Sequence, residues 1–136
     1  MKKIAGIFLC FLLTILCFDA SARRVPGDKV GVKFPELVYE FGNVKESGAP
    51  VVHEFTYTNT GSGAVAILSA RASCGCTEPQ YNRKPLAPGE SGKLKVKFMP
   101  QGQRGEVSKD VRIKFKSANG ATEQVTVRLV GVVLPE

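Results

Sequence analysis

The sequence predicts an all-β fold, a sandwich of about seven antiparallel strands. Apolar residues recur at every second position through most of the chain, which is the side-chain period of a strand with one buried face. The 14 glycines and 8 prolines fall mostly at the joints between these segments, and no segment has a convincing helical period. The chain therefore divides into short strands joined by turns.

The first residues have the pattern of an export signal. Lys2 and Lys3 give it a positive start, and an almost unbroken apolar run follows at Ile4–Phe18. Small residues come next and predict cleavage after Ala22. The prediction divides the chain into a signal peptide (1–22), an N-terminal extension (23–35) and one sandwich domain (36–136).

Two other fates of this segment fit less well. The apolar run covers about 15 residues, short of the roughly 20 that a bilayer-spanning helix needs, so no stable membrane span is expected after cleavage. Lipidation would acylate Cys17, but the bulky Leu16 stands directly before it, where lipoprotein signals carry a small residue. The alternative of a lipidated Cys17 stays open, and the prediction is export to the periplasm or the cell surface.

Three strands are predicted in the first half of the domain, at Leu37–Val44, Val51–Asn59 and Ala64–Ala72. The second is a core strand because Phe55 and Tyr57 share one of its faces. A turn-rich Asn-Thr-Gly-Ser-Gly segment separates it from the third strand. The third strand runs straight into a cysteine pair, so those thiols are expected at a strand exit.

The second half of the domain repeats the alternation more clearly. A polar stretch at Glu78–Pro85 precedes a strand with Leu94, Val96 and Phe98 on one face and lysines between them. Two further strands are predicted, at Val107–Phe115 and Thr122–Val133, joined by the tight-hairpin signal Asn119-Gly120. Six or seven such strands in about 100 residues favour a β-sandwich of immunoglobulin type.

The pair Cys74 and Cys76, with Gly75 between them to permit a sharp bend, is the one cysteine pair left after signal cleavage. In an oxidising compartment it is expected to form a local disulfide or to remain as thiols packed in the sandwich end. Thiol exchange is an alternative, for which Arg71 is the one obvious nearby cation to lower a thiol pKa. Soft-metal binding is another, to Cu(I) or to a zinc ion shared with a second chain. The sequence does not choose among these, so Cys74 and Cys76 are candidate metal ligands and a candidate redox pair.

No enzymatic signature accompanies the cysteines. His53 is the one histidine and lies on the apolar face of a predicted strand, which favours a packing role. The sequence contains no Gly-x-Ser-x-Gly elbow, no phosphate-binding glycine loop before a helix and no His-Glu-x-x-His motif. The chain is therefore predicted not to be an enzyme, with no catalytic residue and no bound cofactor, copper or zinc excepted.

The charge is basic, with 19 Lys and Arg against 12 Asp and Glu, a formal net charge of +7. Most cations alternate with apolar residues, which is typical of the solvated face of a sheet. The other interpretation is attraction to an acidic protein, lipid or glycan surface. Nucleic-acid binding is disfavoured because the chain has an export signal and no basic helix or aromatic-studded basic loop. The alternating cations are Lys93, Lys95, Lys97, Lys109, Arg112, Lys114, Lys116 and Arg128.

Several motifs together resemble a family of secreted bacterial proteins, the domain of unknown function 1573. They include Phe41-Gly-Asn-Val, the strand from His53 to Gly61, Ser73-Cys-Gly-Cys-Thr, Pro88-Gly-Glu-Ser and Leu129-x-Gly. The resemblance implies an immunoglobulin-like fold, similar to domains of the Hydin and major-sperm-protein type, and an exported location; the family is frequent in Bacteroidetes and their relatives. It implies no reaction, because the family has no established activity.

The resulting hypothesis is an exported, non-enzymatic immunoglobulin-like module that binds or supports other components of the bacterial envelope. Its partner is expected to be another envelope protein or an anionic envelope component, reached through the loops at the cysteine end or through an open edge strand. The alternative is a thiol-redox or copper- or zinc-binding protein that uses Cys74 and Cys76.

Overall fold

The computed structural model describes residues 30–136, which form eight strands in two four-stranded sheets, with no helix in this part of the chain. The predicted signal peptide, its cleavage site and Cys17 lie outside the described residues. The strands are β1 (Val32–Lys33), β2 (Val38–Lys45), β3 (Val51–Asn59), β4 (Val65–Ala72), β5 (Thr77–Tyr81), β6 (Ser91–Phe98), β7 (Gly105–Ser117) and β8 (Thr122–Leu134).

Sheet A has the strand order β1-β3-β6-β5, and sheet B has the order β2-β8-β7-β4. The predicted all-β sandwich is thus confirmed, but one ladder departs from the expected antiparallel pairing, since β2 runs parallel to β8. The short β1 pairs with β3, and the chain then passes Pro35 to reach the far edge of sheet B. A proline cannot donate a ladder hydrogen bond, which suits the point where the chain changes sheets.

Alternating side chains from both sheets fill the core between them. Leu94, Val96 and Phe98 of β6 are completely buried, as the alternation in this strand predicts, while the intervening lysines face outward. Phe115 of β7 packs edge-to-face against Tyr57 of β3, with ring centroids 5.3 Å apart. Burial of a side chain of this size contributes roughly 1.5–3 kcal/mol, so these contacts hold the two sheets together.

Two strands were not predicted, and one domain boundary is corrected. β5 occupies Thr77–Tyr81, inside a stretch that looks polar because an edge strand exposes much of its surface. β1 and the buried Val30 lie inside the segment assigned to an N-terminal extension. Residues 30–35 therefore belong to the sandwich, whose described part begins before position 36.

The Asn119-Gly120 hairpin prediction is confirmed. Gly120 joins β7 to β8 with a φ of 89°, in the left-handed region that glycine tolerates. The Asn119 side chain accepts a hydrogen bond from the Ala121 amide at 2.8 Å, which closes the turn locally. The hairpin lies at the end of the sandwich opposite the cysteines.

Candidate functional site

The candidate site is the disulfide loop, residues 73–76, which connects β4 of sheet B to β5 of sheet A. Cys74 and Cys76 form a disulfide bond, with their Cα atoms 5.3 Å apart. Both cysteines are partly buried, and Cys76 packs against the core, while Gly75 is exposed at the tip. The structure therefore places the cysteines at a strand exit, as the sequence predicts.

Backbone hydrogen bonds attach this loop to both sheets. On the sheet B side, the Ser73 amide donates to the Asp110 carbonyl at 2.8 Å, and the Asp110 amide donates to Ser73 Oγ at 3.2 Å. Beyond the disulfide, the Met99 amide at the exit of β6 donates to the Cys76 carbonyl at 2.8 Å. The loop is thus held at both ends by backbone that belongs to the sandwich.

Gly75 is not required for the bend that the sequence suggests. Its φ lies outside the left-handed region, and a Cβ at this position would meet no atom of residues 30–136 within 4 Å apart from its two chain neighbours. A side chain at position 75 would therefore project into open space.

The buried Thr77 links the disulfide to the interior. Its Oγ1 lies 3.6 Å from Cys74 Sγ and 3.8 Å from Cys76 Sγ, so a single hydroxyl contacts both sulfurs. The Cys76 amide also donates to Cys74 Sγ at 3.2 Å. Sulfur is a weak acceptor, so these contacts orient the disulfide more than they stabilise it.

Arginines and a lysine gather beside this loop on the outer face of sheet B. Arg71 of β4 lies directly opposite Arg112 of β7 in the antiparallel register, and both are exposed. We call the shallow concavity around them the basic basin; it encloses about 600 Å³. Its lining residues are Ser69, Arg71, Ala72, Ser73, Arg112, Lys114 and Gln124.

The carboxylate next to this basin is already engaged. Asp110 accepts hydrogen bonds from Arg128 Nε at 2.6 Å and from Arg128 Nη2 at 3.3 Å, across the β7–β8 ladder. The Arg128 hydrogen bond lowers the pKa of the Asp110 carboxyl, and the positive charges of Arg128 and Arg112 lower it further. Asp110 is therefore ionised at neutral pH and bound mainly to Arg128.

The outer face of sheet A is also basic, but its charges alternate in sign. Lys93 and Lys95 of β6 approach Glu54 of β3 at 3.3 and 4.0 Å. Glu78 of β5 lies directly opposite Lys97 in the register. This face matches the prediction of a solvated sheet surface.

His53 is part of a packing contact between the sheets. Its ring stacks on Tyr39 of β2, with centroids 3.7 Å apart, and meets Phe55 edge-on at 4.8 Å. His53 Nε2 donates to the Glu36 carboxylate at 2.9 Å. None of these partners belongs to the disulfide loop, so the structure does not bring His53 and the cysteines together.

No three or more His, Cys, Asp or Glu side chains cluster with a metal-binding arrangement anywhere in residues 30–136. Within the same range, no helix combines the length and apolar character that a membrane crossing needs.

The basic basin is a feature that the sequence pattern does not predict, because its residues come from different strands. In the sequence, Arg71 lies near the cysteines and Arg112 alternates with apolar residues, but only the β4–β7 register places the two side by side.

Comparison with known families shows which family the chain belongs to. The family model described as a protein of unknown function, DUF1573, matches residues 32–133. The chain belongs to the DUF1573 family. In this DUF1573 protein, some of the residues that carry the sequence resemblance have a structural role. Asn59 is fully buried and donates to the carbonyls of Gly63 and Leu86, and Gly131 lies so close to the Phe41 ring that a Cβ would approach it within 2.6 Å.

Solved structures share the fold at low sequence identity. The VesB protease of Vibrio cholerae is 20% identical with a TM-score of 0.61, over 74% of this chain and 31% of that one. The PapD-like domain 7 of human CEP192 is 15% identical with a TM-score of 0.63, over 82% and 92% of the two chains. The periplasmic chaperone SfaE is 13% identical with a TM-score of 0.57, over 78% and 57%.

The DUF1573 chain thus spans less than a third of VesB and somewhat more than half of SfaE. At these identities the similarity shows an immunoglobulin-like, PapD-like sandwich and nothing finer. None of the curated proteins compared with the chain matches it significantly.

Proposed function

We propose that this DUF1573 protein is an exported, non-enzymatic binding module of the bacterial envelope that contacts its partner through the cysteine end. The observation that carries the proposal is the anchoring of the disulfide loop to both sheets, through Ser73 and Cys76. A loop already held in one conformation loses little entropy when it binds, so more of its contact energy appears as affinity.

Two further observations support this function. The exposed residues around the loop include a concentration of cations, which suits an anionic protein surface. The fold is shared with SfaE, a periplasmic chaperone, and with a PapD-like domain of CEP192. The export signal predicted at residues 1–22 is consistent with a location in the envelope.

The test is photo-crosslinking in living cells of the native host. A benzophenone amino acid is placed at Gly75, where a side chain meets open space, and as a control at the exposed Ser62 at the opposite end of the sandwich. The expected result is a discrete crosslinked product from position 75 only, in the envelope fraction, with a mature chain that begins at Arg23. Equal products from both positions, none from position 75, or retention in the cytoplasm would contradict the proposal.

A second candidate, thiol–disulfide exchange, is favoured by the partial exposure of both cysteines. Exchange requires attack on one of the two sulfurs, so at least one must be reachable from solvent. Copper or zinc binding would additionally require reduction of the disulfide, because the thiolate is the metal ligand.

The intact mass of protein purified from the envelope separates these functions, with thiol alkylation before and after reduction and metal analysis of the same sample. A retained disulfide without metal supports the binding module. Thiols that alkylate rapidly in the folded protein would favour exchange, and stoichiometric copper or zinc would favour a metal carrier.

A further inference from the structure

The outer face of sheet B carries an excess of positive charge in its β4–β7 half. Like charges directly opposite each other in a ladder destabilise a sheet, and Arg71 faces Arg112 in this way. Among the described residues, the acidic side chains form no ion pair with Arg71, Arg112 or Lys114. Asp110 is the nearby carboxylate, and it is bound to Arg128. An anionic ligand here would relieve a repulsion that the fold maintains.

Over a short length next to these cations, no strand of residues 30–136 covers the edge of sheet B. Ser73 donates to Asp110 of β7, and hydrogen-bonding direction alternates along an antiparallel strand. The N–H and C=O groups of Ala70 and Ala72 therefore point away from β7, toward the free side of β4. No described strand pairs with β4 on that side.

Other parts of this side of the sandwich are closed to an added strand. The start of β4 is covered, because Val65 and Leu86 exchange backbone hydrogen bonds at 3.0 and 2.7 Å. A bulge at Leu68 then interrupts the register. The neighbouring edge strand β5 contains Pro79, which has no N–H to offer. The open segment is thus confined to residues 69–73, beside the basic basin.

We propose that this segment of β4 accepts an extended, acidic segment of a partner protein as an added strand; this inference rests on the function proposed above and names the class of the partner. Side chains opposite Arg71 lie on the outer face, within reach of Arg112 and Lys114, and those opposite Ala70 and Ala72 turn inward. The matching sequence alternates acidic residues with small or apolar ones. A second copy of this chain does not fit, because its own β4 would bring Arg71 against like charge.

The probe is a fluorescein-labelled peptide, Glu-Val-Glu-Val-Glu-Val, titrated with the full chain purified from the envelope with its disulfide formed. Fluorescence anisotropy is expected to show saturable binding that weakens as salt is raised, since the contacts are exposed ion pairs. The uncharged peptide Gln-Val-Gln-Val-Gln-Val tests whether binding depends on the negative charges of the glutamates. Two N-methylated versions, each blocking one alternate set of amides, test the backbone pairing. Only one set faces β4, so one version is expected to lose binding and the other to keep it.

Charge reversal on the protein locates the site. The double variant Arg71→Glu and Arg112→Glu is expected to weaken binding by about tenfold or more, since two attractions become repulsions. The matched control, Arg83→Glu with Lys84→Glu in the β5–β6 loop, makes the same change in net charge outside the basic basin. It is expected to change affinity less than about twofold. Near-identical circular dichroism and urea midpoints show that both variants are folded.

Several results would overturn the proposal. They are the absence of saturable peptide binding, equal binding of both N-methylated peptides, and equal losses in the two double variants. Binding to anionic lipid vesicles that depends on Arg71 and Arg112, without peptide binding, would assign the basin to a membrane surface instead. If position 75 still forms a crosslink in cells but the peptide does not bind, only the added strand is rejected. The proposed envelope binding module would then still stand.

Discussion

The outer faces of the two sheets are both rich in cations, yet they differ in where the opposite charges lie. On sheet A, Glu54 contacts Lys93 and Lys95, and no cation of the described strands faces another directly across a ladder. On sheet B, Arg71 faces Arg112, and the adjacent Asp110 is taken by Arg128. The lysines of one face thus lie near carboxylates, and the other face has an excess of positive charge beside a strand edge that no described strand covers.

This difference shows that similar sequence patterns produce surfaces with different uses. The lysines of β6 and the cations of β7 both alternate with buried apolar residues. What separates them is the neighbouring strand, because β3 and β5 supply carboxylates to β6, whereas β4 supplies Arg71 to β7. A balanced face needs only water as its partner, and an unbalanced one favours an anion.

The largest effect is expected from removing the core that both faces share. Phe115 is completely buried and packs against Tyr57, so Phe115→Ala is expected to lower the free energy of unfolding by about 3–5 kcal/mol. Urea unfolding followed by circular dichroism measures this. The exposed Thr126→Ala on the same sheet is the control and is expected to change stability by less than about 0.5 kcal/mol. If Phe115→Ala does not fold, Phe115→Leu should give a smaller loss in the same direction. A loss below 1 kcal/mol would show that this contact does not join the sheets.

The disulfide lies where the two sheets meet, and its removal is expected to have a moderate effect. The loop between Cys74 and Cys76 is very short, so it constrains the unfolded chain little, and the double substitution to serine is expected to cost about 1.5 kcal/mol. Reducing the wild-type protein should give a similar shift of the urea midpoint. A loss as large as that of Phe115→Ala would mean that the disulfide is a main support of the sandwich.

The ion pair on sheet B makes stability depend on pH. Folding lowers the pKa of Asp110, so its ionised form stabilises the native state, and this contribution is lost as pH falls through the folded pKa. Asp110→Asn is expected to cost up to about 1 kcal/mol at pH 7, since the pair is partly exposed. The difference between wild type and variant should shrink below about pH 4, the ordinary range of an aspartate. Urea titrations at both pH values measure it, and a difference that grows in acid would reverse the assigned sign.

The smallest effect distinguishes the two faces directly. Arg71→Gln removes a like-charge contact and is expected to raise stability by about 0.2–0.5 kcal/mol, whereas Lys93→Gln removes an attraction to Glu54 and should lower it by a similar amount. Both shifts should diminish in high salt, because exposed charges are screened. Two shifts of the same sign, or shifts insensitive to salt, would show that the two outer faces do not differ in their electrostatics as described.

The strands that form the core are predictable because the alternation that marks their buried face lies within a few consecutive residues. Phe55 with Tyr57, and Leu94 with Val96, repeat at the period of a strand and need no knowledge of their neighbours. The hairpin at Gly120 was equally accessible, since its turn depends on two adjacent residues. The short β1 and the edge strand β5 are not predictable in this way, because strands that expose most of their surface carry little apolar pattern.

The sequence by itself therefore determined the sandwich, the position of Cys74 and Cys76 at a strand exit, and the alternation of cations with core residues. Only the tertiary structure decided that β2 runs parallel to β8, that Arg71 lies beside Arg112, and that no described strand covers the edge at Ala70 and Ala72. The reason is physical. Alternation follows from the two-residue repeat within a strand, but the charge that a residue meets across a ladder depends on which strand pairs with it and in which register, and those partners are distant in sequence.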